Sequence, residues 1–204
     1  SSCHCTAYGT EPFPAKNADI VFSKTDDDIV LTILSDKGDA FISEALNSGF
    51  TEIQELPKEL TKKRNEIKEL LSAKNIPNAW DSRLGIKDSS DKIWKKYAET
   101  CVSCGACSAI CPTCHCFLLI DKANFEKVKN WDSCQYPAFE RVAGGEDPLS
   151  RVHLRLKNRY ICKFIHKPDM FNEVACVGCG RCIDACIGKI DKNEVLSEIC
   201  RKSE

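Results

Sequence analysis

The sequence predicts an α+β protein: a small α/β unit at the front, then a domain organised by cysteines, with a long insert between its two cysteine motifs. Three observations predict it. Two short β-branched runs, Ile20 to Phe22 and Ile29 to Ile33, flank a polar turn at Ser23 to Asp28, which is the pattern of paired strands. Apolar residues at helical spacing follow, over Gly38 to Leu46 and then at Leu60, Ile67, Leu70 and Leu71. Finally, four cysteines occur twice at one spacing, C-x2-C-x2-C-x3-C. The first set is Cys101, Cys104, Cys107 and Cys111; the second is Cys176, Cys179, Cys182 and Cys186.

Taken in order, the first helix is closed by Asn47-Ser48-Gly49. Pro57 opens a charged helix running through Ala73, whose Lys and Glu residues read as a solvated face. Pro77, Gly85 and small polar residues suggest a linker. The expected division is therefore an α/β region at 1–75, a linker at 76–90 and a cysteine domain at 91–204. Asp91 is placed to cap a short helix holding Ile93, Trp94 and Tyr97. Beyond Cys186, the stretch from Asp191 to Cys200 puts Val195, Leu196 and Ile199 on one helical face. Trp94, Tyr97 and Trp131 read as packing residues, with an electron path as the competing role.

Composition narrows the function classes. With 29 basic and 30 acidic residues among 204, no global field favours nucleic acid or a membrane surface. No apolar stretch approaches the length of a membrane span. Fifteen cysteines are far more than ordinary usage. Their odd number and regular runs argue against a disulfide framework and for a cytoplasmic, oxygen-sensitive protein. The chain starts Ser1-Ser2, with Cys3 and Cys5 at its edge, as a fragment of a longer protein would. It holds no Gly-rich dinucleotide loop and no P-loop.

The repeated spacing is the bacterial ferredoxin pattern for [4Fe–4S] clusters, in which the fourth cysteine of each run ligates the other cluster. Cys101, Cys104, Cys107 and Cys186 are thus expected around one cluster. Cys176, Cys179, Cys182 and Cys111 are expected around the other. The fold class is completed as a bacterial-type dicluster ferredoxin domain whose insert, 112–175, is far longer than a compact ferredoxin needs. That insert crowds Arg151, Arg155, Lys157, Arg159, Lys163 and Lys167 together. Three readings compete for them: ordinary solvated residues, a docking face for an acidic partner, or cations that offset cluster charge and raise its potential.

Seven cysteines remain: Cys3, Cys5, Cys114, Cys116, Cys134, Cys162 and Cys200. Small buried packing residues are one reading. A third iron–sulfur cluster or a zinc site is the other, with Cys3, Cys5, Cys116 and Cys134 as its leading candidates. His4 and His115 are weaker candidates, and His153 and His166 read as surface or packing residues.

The string Cys111-Pro112-Thr113-Cys114-His115-Cys116-Phe117 resembles the C-P-T-C-x-C-F signature of the iron–sulfur beta subunits of cytoplasmic sulfhydrogenases, a group that includes an iron–sulfur component of anaerobic sulfite reductase. Trp131 to Cys134, Ala143 to Gly145, Cys176 to Cys182 and the front segment Cys3 to Pro12 are similar to the same family, as is Asp36-Lys37-Gly38. The resemblance implies a subunit that relays electrons between a flavin- and nicotinamide-binding subunit and a catalytic subunit of an oxidoreductase complex, of hydrogenase or sulfite reductase type. Ile187 departs from the proline common after the last cysteine, which changes local packing but not the ligand set. A subunit whose third metal centre binds substrate or senses redox state is the alternative function.

Overall fold

Five-residue strands and short helices suffice for this chain because cysteine loops, rather than a wide sheet, organise most of it. The computed structural model describes residues 3–13, 17–45, 51–53, 55–75 and 85–201. It divides into two units, 10–75 and 1–9 with 76–204.

In the first unit, β1 (Ile20–Lys24) pairs antiparallel with β2 (Ile29–Ile33), in a register from Ile20↔Ile33 to Lys24↔Ile29. Thr25 closes the turn: its backbone N–H and its hydroxyl both donate to Asp28 O. The helices α1 (Asp36–Ala45) and α2 (Lys58–Lys74) follow, and the expected closure at Asn47 to Gly49 lies outside the described residues. Of the four apolar residues expected to form one face of α2, only Leu60 and Leu71 are buried, while Ile67 and Leu70 face solvent. The ion pairs Lys63–Asp26 and Lys68–Glu11 are exposed, so each contributes little.

The second unit is built on α3 (Gly85–Asp88), α4 (Asp91–Ala98), α5 (Ala106–Ala109), β3 (Phe117–Asp121), β4 (Lys127–Trp131), α6 (Val152–Ile161), α7 (Lys167–Phe171), α8 (Arg181–Asp184) and α9 (Lys192–Arg201). A π-helical turn, Cys162–His166, joins α6 to α7. The core lies where α3, α4, α6 and α9 meet, with Ile86, Trp94, Tyr160, Val195, Leu196 and Ile199 almost fully enclosed. Its centre is an aromatic ladder. Trp94 meets Tyr160 edge-on at 5.1 Å, Tyr160 leans on Phe164, and Phe164 stacks on Tyr8 at 5.9 Å. The polar tips are satisfied: Trp94 Nε1 donates to Ser89 Oγ, and Tyr8 Oη to Asn193 Oδ1, each at 2.8 Å.

Three local differences from the sequence expectation have physical causes. Ser90, not Asp91, caps α4, its Oγ accepting from the Lys92 N–H; Asp91 instead occupies the first turn, where its charge suits the helix dipole. The front residues Cys3 to Gly9 group with this unit rather than with 10–75, held by a hydrogen bond from the His4 N–H to Gly178 O. Residues 85–88 of the expected linker form a helical turn anchored by the fully buried Ile86; 76–84 lie outside the described residues.

Candidate iron–sulfur centres

The two cysteine runs fold alike, residue for residue. Ser103 and Gly178 hold equivalent positions with φ of 53° and 66°, and Gly105 and Gly180 do so with φ of 72° and 78°. Gly105 and Gly180 each cap the start of a four-residue helix, α5 or α8. The hydrogen bonds repeat as well: Ser108 N–H to Gly105 O matches Ile183 N–H to Gly180 O, and Cys111 N–H to Ser108 O matches Cys186 N–H to Ile183 O. Left-handed residues at these points curl the backbone so that three cysteines of a run face inward. At Gly178 a side chain is excluded outright, because a Cβ there would lie 2.5 Å from His4 O and 2.6 Å from Cys5 Cα.

The cysteines surround two cavities. Cys101, Cys104, Cys107 and Cys186 line one, beneath Tyr160 and Leu156. Cys111, Cys176 and Cys179 line the other, with Lys163 at its wall. Cys182, Arg159 and Lys192 border both. The fourth cysteine of each run therefore stands beside the other run's cavity. Among the described residues, no three Cys, His, Asp or Glu side chains converge as ligands of a single ion. Sulfurs spread around a cavity suit a cube, where each thiolate binds a separate iron.

The insert supplies the electrostatics. Arg151, Arg155, Arg159, Lys163 and Lys167 are spaced four apart, and their partners on the first cysteine run advance by the same step. Arg155 Nη2 donates to Ser103 Oγ at 3.2 Å, Arg159 Nη2 to Cys107 O at 3.1 Å, and Lys163 Nζ to Cys111 Sγ at 3.1 Å. A four-residue spacing drifts by about 40° per step on an α-helix of 3.6 residues per turn. The wider π-turn at Cys162–His166 offsets that drift, keeping Lys163 and Lys167 on the cysteine side. Leu156, Tyr160 and Phe164 occupy the neighbouring stripe and enter the core.

Arg155, Arg159 and Lys163 are 3–4% exposed, and Lys192 on α9 is 2% exposed. The solvated and docking readings of the basic stretch thus fail for its three central cations, since they point inward. Arg155 is satisfied by Gln135 O, Leu149 O and Ser150 O besides Ser103. Arg159 Nε and Lys192 Nζ have no hydrogen-bond partner among the described residues. Nor, among those residues, does a carboxylate pair with any of these four cations. Burying a cation costs several kcal/mol. The Tyr8 ring, 4.6 Å from Lys192 Nζ, returns about 2 kcal/mol of this for one of the four. An anionic group in the cavities would offset the remainder, and a thiolate-ligated iron–sulfur cube is such a group. The donor set and the buried charge fit it together.

Thiol chemistry follows the same field. Cys111 is lowered to about 3 by the hydrogen bond from Cys114, with Lys163 assisting, while Cys114 is raised in turn. Burial raises Cys107, against the pull of Arg159. Burial alone would lower Arg159, but the thiolates of Cys107 and Cys182 hold it above its ordinary value.

The remaining cysteines form pairs. Cys3 Sγ lies 3.5 Å from Cys5 Sγ, next to the Gly178 loop. Burial, with Cys3 beside it, raises Cys5 to about 11. Cys116 and Cys134 are hydrogen-bonded, which lowers Cys116 to about 6 and raises Cys134. Gln135 Nε2 also donates to Cys134 Sγ at 3.5 Å. Cys162 lies close enough to act on Cys116, and Cys200 is half-buried on α9. His115 and His166 are exposed and His153 is half-buried. Trp94 is core, whereas Trp131 is exposed.

Residues 100–190 match the family described as a 4Fe-4S dicluster domain. That match covers both cysteine runs. Over 207 aligned residues it is 33% identical to sulfhydrogenase 2 subunit beta of Pyrococcus furiosus, an alignment covering 97% of this chain and 59% of that relative. No solved structure matches. Lys192 and the four-residue period of the cations are site features that the cysteine spacings do not announce. The period is visible in the sequence, whereas Lys192 sits on a helix whose other residues look ordinary.

Proposed function

We propose that this chain relays single electrons through two [4Fe–4S] clusters, between a flavin- and NAD(P)-binding subunit and the catalytic subunit of an oxidoreductase complex. Cys101, Cys104, Cys107 and Cys186 hold one cluster, and Cys176, Cys179, Cys182 and Cys111 the other. The observation that carries this reading is the set of four buried cations with no carboxylate partner among the described residues, around two cysteine-lined cavities. Kinship with a sulfhydrogenase beta subunit supports the place in a complex.

A [4Fe–4S] cluster, when bound, supplies one-electron chemistry at a potential set by net charge, hydrogen bonds to sulfur and exposure. The protein's own part is to set those quantities. Lys163 Nζ donates to Cys111 Sγ, and the Ile190 N–H donates to Cys186 Sγ at 3.3 Å; both are hydrogen bonds to sulfur of the kind that tunes a cluster. Thr113 Oγ1, which donates to Ala175 O at 2.6 Å, ties the exit of the first run to the entrance of the second. Tyr160, Leu156 and Ile190 give the first cavity an apolar wall.

The test is Cys186→Ser in the full-length protein, with Cys104→Ser and Cys179→Ser as references for each cluster's paramagnetic signal. Crossed ligation predicts that Cys186→Ser alters the same signal as Cys104→Ser. Alteration of the Cys179→Ser signal alone would show that each run keeps to its own cluster.

A further inference from the structure

Lys192 and Arg159 stand apart from the other basic residues because both border the two cavities at once. Lys163, by contrast, lines only the second cavity, and its ammonium is engaged by Cys111 Sγ, Thr113 Oγ1 and Ala175 O. Arg155 is occupied by carbonyls. Lys192 has no hydrogen-bond partner among the described residues, and Arg159 keeps an unpartnered Nε. These two reach the space between the cavities from different elements, α6 and α9, so they do not belong to one surface patch that folded inward.

Electrons added to one cluster raise the cost of adding them to its neighbour, because both carry negative charge in a medium that screens poorly. A cation that faces both sites lowers that cost for each. We infer that Lys192 and Arg159 form a shared cationic bridge that raises the reduction potentials of both clusters. The inference rests on the two-cluster reading above. Their role is positioning of charge, not contact chemistry. Lys163 acts on the second cluster alone.

A purely structural role competes with this, since Lys192 lies over the Tyr8 ring at 4.6 Å. A side chain present only for packing would change stability and leave the potentials in place.

The experiment is a redox titration of the anaerobically purified full-length protein, followed by the paramagnetic signals of the reduced clusters. Lys192→Met, Lys192→Arg and Lys163→Met are compared with the unaltered protein, after iron and sulfide are counted in each. For Lys192→Met the expected result is a fall of at least about tenfold in the reduction equilibrium of both clusters, about 59 mV for a one-electron couple. Lys163→Met is expected to move only the second cluster. Full iron content with one couple or neither moved in Lys192→Met overturns the bridge. If Lys192→Met fails to retain its clusters, Lys192→Arg decides. Normal iron and potentials within about threefold of the unaltered protein's equilibria support the role of charge, while loss of clusters there as well assigns Lys192 to packing. Absence of iron from the unaltered protein is a different result, and it would remove the two-cluster reading itself.

Discussion

At Cys116 the neighbouring Cys134 thiol donates a hydrogen bond, and the thiolate of Cys116 is favoured down to about pH 6 rather than the ordinary 9.0. The sign is direct: the reactive thiolate form is full above this value and is lost as the pH falls through it. Alkylation of Cys116 in the anaerobic full-length protein is therefore expected to rise through about pH 6 and level off by about pH 8. The check is peptide mass mapping after timed iodoacetamide treatment. A rate still climbing through about pH 9 would contradict the pairing with Cys134, and protection at every pH would mark a metal-bound sulfur. The sequence groups Cys116 and Cys134 with Cys3 and Cys5 as candidates for a third site; the structure places Cys116 beside Cys134. Sequence alone cannot show that Cys162 joins their surroundings, because that contact depends on where the insert helix runs.

Elements carry the second group of expectations. The loop of the second cysteine run lies directly on the front segment, with Gly178 against His4 and Cys5. Gly178→Ala is expected to release that segment and lower iron retention by the second run. Gly144→Ala, whose Cβ would meet nothing within 4 Å, should leave iron content unchanged. Equal iron in both variants would rule out the close approach. Helix faces were only partly legible. On α9 the expected residues Val195, Leu196 and Ile199 are all buried, yet on α2 the same periodicity left Ile67 and Leu70 exposed. The difference is physical, since α9 is enclosed by α3 and α4 and α2 buries only a narrow stripe. Ile199→Ala should cost about 2–5 kcal/mol of unfolding stability, whereas Leu70→Ala should stay within about 0.5 kcal/mol. Chemical denaturation of the cluster-loaded protein checks both, and similar losses at the two positions would contradict the assigned faces.

For the molecule as a whole, charge that cancels overall is unevenly placed. The formal net charge is −1, but the interior of the second unit holds four cations, with no carboxylate paired to them among the described residues. Net charge read from the sequence hides this separation, because it records amounts and not places. The cysteine spacings, in contrast, were legible in full, since C-x2-C-x2-C-x3-C constrains one short backbone path that both runs follow. The insert was the least legible region: its length was obvious, yet its role emerged only when α6 proved to lie along the first run. Among the described residues no helix is long and apolar enough to cross a membrane. The measurement that bears most directly on the central claim is iron and acid-labile sulfide per chain in anaerobically purified full-length protein. Two clusters predict about eight of each. A count of about four or fewer would contradict the paired sites, and about twelve would contradict a plain two-cluster relay and turn attention to Cys3, Cys5, Cys116 and Cys134.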